Sequence, residues 1–585
     1  MRIFRFVKKY WFWLILAPLF MVGEVLMDLY QPRLMATIVD DGLANGDLTL
    51  VWQTGLLMLG LVLIGGLMGV LCGVYTNKTA LNFANDLRKE VFNHIQNLSY
   101  EQVDMFSTGS LVTRVTNDVT QVTNIVSTAT RMLIRTLMQF VLGTVFLLAI
   151  DARFGYVLLV ILPVILVVMT IFLVKVSPSF VLMQKRVDDI NAIVQENVTG
   201  ARVVKAYTAE DRESARFKTA NDNLYNVNWN VFKKLALIGP MFSIILSSAA
   251  IAIMYIGGVT INNNYVNEIT NGLNVGDIIA AVNYLVILTS GFVMLAMMFQ
   301  VFVRGLASIR RLNEVLDTTP VVLEGEGNKN TNNVGAVEFK HVSFAYPGEV
   351  DEKVLNDINI TISRGEKVGI LGSTGSGKST LVNLIARFYD VSEGEVLVDG
   401  VNVKEYSFDE LRNKVAMVLQ KSELFSETIA NNIRWGKKDA TLEEVIHASQ
   451  IAQADDFITS FNEGYDTLIA EKGASLSGGQ KQRISIARAI IKHPEIVIFD
   501  DSTSALDLST EANLYAAIRK ELADMTVITI AQRIASVKNC DKIIVLQDGM
   551  IDSIGTHEEL LAYSPIYQDI YNSQLKKDGE ENGWN

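Results

Sequence analysis

Residues 367–389 read Lys-Val-Gly-Ile-Leu-Gly-Ser-Thr-Gly-Ser-Gly-Lys-Ser-Thr-Leu-Val-Asn-Leu-Ile-Ala-Arg-Phe-Tyr. The apolar run 367–371 has the length of a buried strand, and 380–389 carries apolar residues at helical spacing. Between them lie Gly372, Ser373, Thr374, Gly375, Ser376, Gly377, Lys378, Ser379 and Thr380. Strand, glycine-rich loop and helix in that order are what a phosphate-binding loop requires. The glycines let backbone N–H groups curl round phosphates at the positive end of a helix dipole. Lys378 supplies a charge for the outer phosphates, and the Ser379 hydroxyl a ligand for Mg2+. From here to the C-terminus the chain reads as an α/β P-loop nucleotide-binding domain.

Downstream, Ile496-Val-Ile-Phe-Asp500 is an apolar strand ending in an acid. In P-loop enzymes that acid holds Mg2+. Between the two motifs, Leu476-Ser477-Gly478-Gly479-Gln480 precedes a stretch rich in Arg and Ala. It reads either as a plain glycine-bearing helix N-terminus or as a second anion cradle, with backbone N–H groups and Ser477 facing a phosphate.

Upstream the character changes. Half of the 585 residues are apolar, and they crowd into the first three hundred. Six stretches of about 20 residues or more are long enough to span a bilayer: 11–32, 51–75, 131–150, 154–174, 235–258 and 277–304. The first follows Met1–Tyr10 with no small-residue cleavage site, so it reads as a retained helix and not a signal peptide. Arg2, Arg5, Lys8 and Lys9 flank it, and the gaps after the second and fourth spans are rich in Lys and Arg. The short gaps are nearly devoid of both, which predicts that both termini and both long gaps are cytoplasmic. Phe83, Leu87, Val91 and Ile95 recur every fourth residue, so the spans are expected to continue as helices beyond the headgroups. Segments near 104–112 and 207–216 read as short helices at the tips of these extensions or as turns.

The domain plan is therefore 1–317 membrane, 318–335 a Gly- and Asn-rich linker, 336–575 nucleotide-binding, and 576–585 a disordered tail. A net charge of −12 argues against a nucleic-acid partner. Two cysteines, Cys72 and Cys540, and five scattered histidines predict neither a disulfide nor a metal site beyond the Mg2+ that arrives with nucleotide.

Taken together, the P-loop and Leu476–Gln480 resemble the motifs of ATP-binding cassette (ABC) proteins. Six spans before such a domain resemble a half-transporter of the bacterial multidrug exporters. The resemblance extends to Thr108-Gly-Ser-Leu111 with Arg114, Thr116-Asn-Asp118 and Gly200-Ala-Arg-Val-Val-Lys205 in the membrane half. It implies ATP and Mg2+ as cofactors, and it favours coupling helices at the two tips. It further implies that Tyr346 stacks on adenine and that Gln420 contacts Mg2+ and the attacking water. Glu471 resembles a cross-linking acid, though its Ala-Glu-Lys-Gly setting departs from the usual pattern. Asp507, closing Ser504–Asp507, matches a loop that crosses the dimer interface.

Two positions depart from the family. Asp501 stands where the family has a glutamate general base, and Gln532 stands where it has histidine. Asp is one methylene shorter, and a misplacement near 1 Å can cost roughly a hundredfold in rate. Gln can donate a hydrogen bond but cannot take a proton. The pair resembles the degenerate-site subunit of a heterodimeric ABC exporter, an ATPase whose own hydrolysis site is impaired. Such a subunit would lend Ser477, Gly478, Gly479 and Gln480 to a second half-transporter carrying the Glu and His. A bacterial plasma membrane and amphipathic drugs or lipid-like compounds as substrates follow from the same resemblance. A homodimeric exporter in which Asp501 suffices, and an ATP-gated channel or sensor, are the alternatives.

Glu24 and Asp28 lie one helical turn apart in the first span, where ionisable groups are costly and often functional. Interfacial water is the competing explanation. Met241, Phe242, Met254, Met294, Met297, Met298 and Phe299 are either lining for an adaptable cavity or plain packing.

Overall fold

The computed structural model describes residues 3–266, 272–327, 335–346, 352–470, 473 and 475–581. The chain divides into two compact units, Met1–Gln96 with Thr108–Asp317, and Asn97–Ser107 with Thr318–Asn585.

In the first unit the six expected spans are all helical, and all are longer than the bilayer needs. They run Trp11–Leu43, Leu48–Gln96, Thr108–Ile150, Phe154–Thr199, Glu210–Val266 and Val275–Asp317. At 1.5 Å per residue, the 49 residues of the second make a rod about 74 Å long, more than twice the hydrocarbon thickness. Phe83, Leu87 and Val91 are buried, with Ile95 packed beside them, against Val119, Val122, Val126, Leu312 and Leu316. That four-residue stripe is the core of the extension. A second core, around Met21, Val25, Leu29, Leu147, Ile253 and Tyr284, packs the apolar segments together. Here the Tyr284 hydroxyl donates to the Leu29 carbonyl at 2.7 Å. The fifth span breaks at Leu237 because Pro240 has no N–H to offer the carbonyl one turn back.

Both tips contain a short helix, displaced from where the sequence suggested. The first is Tyr100–Phe106, opened by a reciprocal Ser99–Gln102 capping box and closed by Ser107 at φ +57°. Residues 108–112 already belong to the next long helix. The second is Ala201–Ala206, set off by the bend at Gly200, and 207–209 is a turn with Thr208 at φ +50°. The long helix resumes at Glu210, which with Asp211 and Glu213 suits a helix start. Spacing of apolar residues cannot register such ends; caps and left-handed residues set them.

In the second unit, a six-stranded sheet has the order β10-β9-β3-β8-β7-β6, and a four-stranded antiparallel sheet the order β2-β1-β4-β5. The strands are β1 Val337–Phe344, β2 Leu355–Ile362, β3 Lys367–Gly372, β4 Glu393–Val398, β5 Val401–Asn402, β6 Val415–Val418, β7 Ile496–Asp500, β8 Thr526–Ile530, β9 Lys542–Gln547 and β10 Met550–Gly555. β6, β7, β8, β3 and β9 run parallel. β7 and β8 are buried at every residue, as continuous apolar strands covered on both faces must be.

The expected linker 318–335 is described as far as 327, and there it is fastened along the cassette. Gly325 and Gly327 donate to the carbonyls of Tyr406 and Glu405, and Arg387 Nη2 donates to the Leu323 carbonyl. The tail expected to be disordered from 576 continues the Pro565–Glu581 helix for six residues. Leu, Lys and Lys at 575–577 are good helix formers, and 582–585 lie outside the described residues.

Candidate nucleotide site

β3 ends at the loop 372–377, and the Lys378–Ile385 helix starts directly after it. Gly375 and Gly377 sit at φ +88° and +95°, a region closed to side chains, and this curls the loop. A Cβ on Gly377 would lie 2.8 Å from Leu355 Cδ2 and 3.0 Å from the Val354 carbonyl oxygen. The loop bounds a cleft of about 340 Å3 lined by Tyr346, Thr374, Lys378, Ser379, Gln420, Asp500, Asp501 and Gln532, among others. Thr374, Gly375, Gly377, Lys378, Ser379 and Thr380 of the P-loop, the strand acid and the two departing positions therefore meet in one place, while Gly372, Ser373 and Ser376 belong to the loop without lining the cleft.

Lys378 Nζ donates to the carbonyls of Gly372 and Ser373 at 2.9 and 2.7 Å. Burial lowers its pKa, against the pull of Asp501 and Asp500. Ser379 Oγ donates to Asp500 Oδ1 at 2.8 Å. Burial raises the Asp500 pKa, and the Asp501 carboxylate raises it further, while Ser379 and Lys378 oppose. An exposed hydroxyl bonded to a buried carboxylate beside a second acid suits a divalent cation, which takes oxygen ligands. The Ser376 hydroxyl is buried inside the loop without a hydrogen-bond partner among the described residues, as expected where a phosphate oxygen would complete it. The site thus fits ATP and Mg2+.

Asp501 is a buried part of the cleft wall. Its backbone is at φ +45°, its N–H donates to the Ile530 carbonyl, and the residue is 8% exposed. Asp501 Oδ2 accepts from Gln532 Nε2 at 2.7 Å and from Gln420 Nε2 at 3.2 Å. Gln532 is itself held from behind: its carbonyl accepts from Gln574 Nε2 at 2.8 Å, and Gln574 Oε1 accepts from Ile534 N. Tyr346 touches Phe344 and Tyr389 edge-on, and its hydroxyl lies 3.0 Å from Thr380 Oγ1.

The Ser477–Gln480 segment opens the Gly478–Ile490 helix through a capping box, Ser477 Oγ accepting from Gln480 N and Gln480 Oε1 from Ser477 N. Gly479 lies against the Ala505 carbonyl, where a Cβ would come within 3.0 Å. Asp507 caps the Leu508–Glu521 helix, and hydrogen bonds from Ser509 and Thr510 hold its carboxyl far below the usual range. None of Leu476–Gln480 is among the described residues lining the P-loop cleft. Glu471 lies outside the described residues.

In the membrane unit, Glu24 and Asp28 share a partner that the sequence did not single out. Arg135 Nη1 donates to Glu24 Oε1 at 2.8 Å and Nη2 to Asp28 Oδ2 at 3.1 Å. Arginine inside an apolar stretch was the available signal, since a charge at that depth needs a counterion. Of the Met and Phe candidates, Phe242 and Met298 are buried packing residues. Met241 and Met254 are exposed and Met294 half-buried. The side chains of Met297 and Phe299 lie outside the described residues.

Two family profiles match the chain: "ABC transporter transmembrane region" over residues 14–292 and "ABC transporter" over 355–504. An uncharacterized ABC transporter ATP-binding protein of Bacillus subtilis, YfiB, is 38% identical over 98% of this chain and 99% of its own length. An ATP-dependent lipid A-core flippase of Haemophilus ducreyi is 29% identical over 98% of each chain. Among solved structures, a bacterial Atm1-family ABC exporter with ATP bound superposes with a TM-score of 0.78. It is 25% identical, and the match covers 97% of this chain and 98% of that one.

Proposed function

The chain belongs to the ABC transporter family, and from that premise we propose that it is the degenerate-site subunit of a heterodimeric exporter. ATP-driven export by a membrane domain fused to an ATP-binding domain is the family's activity; the finer question is which site hydrolyses. The observation that carries the proposal is the amide clamp on Asp501. A general base must aim a free carboxylate oxygen at water. Here both Gln532 and Gln420 donate to one oxygen, Oδ2, of a side chain one methylene short, which fixes the direction in which the carboxylate points, and Gln532 cannot relay a proton.

Gly372–Thr380 bind the phosphates, Lys378 neutralises them, and Tyr346 takes the adenine. Ser379 and Asp500, with Gln420 nearby, would hold Mg2+, which would offset charge on the outer phosphates. ATP therefore binds here and stays. Ser477–Gln480 and the Ser504–Asp507 loop complete a partner's competent site; that none of Leu476–Gln480 is among the described residues lining this chain's own P-loop cleft supports assembly in trans. The partner is a second half-transporter with the Glu and His that this chain lacks. Lys and Arg placement supports a bacterial plasma membrane protein with both termini cytoplasmic. The flippase relative supports the lipid-like end of the range of amphipathic drugs and lipid-like compounds.

The test is MgATP binding and hydrolysis by the full chain, purified alone in lipid nanodiscs. Tight binding is expected, with turnover that rises about a hundredfold in Asp501→Glu/Gln532→His. Wild-type turnover of about 10 per second, abolished by Asp501→Asn, would instead make the chain a self-sufficient homodimer.

A further inference from the structure

The short helix Tyr100–Phe106 and its flanks belong to the cassette's compact unit, although the chain on either side forms two of the long membrane helices. A continuous set of side-chain contacts joins it to the cleft. Tyr100 stacks on Phe388 with centroids 4.5 Å apart. The neighbouring Tyr389 donates its hydroxyl to Asp104 Oδ2 at 2.9 Å. The Tyr389 ring meets Tyr346 edge-to-face at 5.4 Å and 88°, and Tyr346 reaches Thr380 on the P-loop helix.

The base of this relay is stiff. Arg387, at φ +50°, turns the chain out of the P-loop helix. Its guanidinium donates to Asp390 and to the carbonyls of Leu323, Val403 and Lys404. Next to Leu323, Val322 N donates to Ser99 Oγ, the cap of the short helix. Burial and the Asp104 carboxylate hold the Tyr389 phenol well above its ordinary pKa, so it remains a donor.

We propose that Tyr389 is a positioning residue that couples adenine stacked on Tyr346 to the placement of residues 97–107. The ring and the hydroxyl do separate work: the ring braces Tyr346, and the hydroxyl sets Asp104. Because 97–107 is continuous with two helices long enough to cross the bilayer, the base of the nucleotide, and not only its phosphates, is felt by the membrane domain. This rests on the reading that the cleft binds ATP through Tyr346.

The test uses the full chain in lipid nanodiscs with an environment-sensitive maleimide dye on Met105→Cys. Met105 is 67% exposed, Cys72 is buried, and burial pushes the Cys540 thiol up to about 12, so labelling at pH 7 is selective. MgATP is expected to change the dye emission, and Mg-tripolyphosphate, which has no base, is not. Tyr389→Phe keeps the ring: ATP affinity should stay within about twofold while the dye response to ATP disappears. Asp104→Asn retains an acceptor oxygen and should keep the response. Tyr389→Leu should lower ATP affinity about fivefold, the size of one aromatic pair, and leave tripolyphosphate affinity unchanged. A full dye response in Tyr389→Phe, or equal losses of both ligands in Tyr389→Leu, would overturn the proposal while the ATP-binding reading stands. A wild-type chain that binds no ATP would overturn both.

Discussion

Replacing Arg135 by Met keeps most of the side-chain bulk and removes the charge that two acids share. Glu24 stands to lose most. Its side chain is 13% exposed, and its second oxygen, Oε2, is already buried without a hydrogen-bond partner among the described residues. A carboxylate left alone at membrane depth costs about 2.5–3.5 kcal/mol on insertion scales. Breaking a fully buried pair from one side costs about 3–5 kcal/mol, and this part-buried pair, with Arg135 30% exposed, falls at the lower end. Asp28, 44% exposed, is less enclosed by protein than Glu24 and is counted as adding less. The loss is thus about 3 kcal/mol. A unit of roughly 300 residues unfolds with an entropy near 0.6 kcal/mol/K, so the midpoint should fall by about 5 °C. Thermal unfolding of the full chain in nanodiscs, followed by tryptophan fluorescence, reads this directly. Arg135→Met/Glu24→Gln should regain most of the loss, because only the more exposed Asp28 then keeps an unpaired charge. A single variant within about 1 °C of wild type, or a double variant no better than the single, would refute the reasoning.

Gly377→Ala places a Cβ at φ +95°, against Leu355 and the Val354 carbonyl, at a cost of roughly 1–3 kcal/mol of backbone strain. Calorimetric titration should show ATP affinity at least about tenfold weaker with circular dichroism unchanged. Cys540 supplies the pH test. Its thiol ionises only at about 12 when folded, against 9.0 for a free thiol, so at pH 8 about one molecule in ten thousand carries thiolate. Alkylation of native protein should be slow and rise about tenfold per pH unit, becoming fast on denaturation. The sign for stability follows: the unfolded thiol loses its proton first, so this group disfavours folding progressively from pH 9 to about 12.

The nature of both halves was legible in the residues, because local chemistry decides it. A bilayer demands about 20 apolar residues per span wherever they occur, and a phosphate cradle demands glycines at fixed offsets. The stripe from Phe83 to Ile95 likewise foretold helices running past the membrane, since a helix must repeat its apolar face every turn. The tips were displaced because their ends depend on a capping box at Ser99 and a left-handed Thr208, which apolar spacing does not encode.

What tertiary structure alone decided is the set of partners across long separations. Arg135 neutralises acids 111 and 107 residues away, Tyr389 reaches Asp104 across 285, and Gln532 meets Asp501 across 31 and is braced by Gln574. By itself the sequence identified Asp501 and Gln532 as unlike their family; the fold added that the two are bonded to each other. Hydrogen bonds and ion pairs act over about 3 Å, and proximity on that scale comes from packing, not from order along the chain.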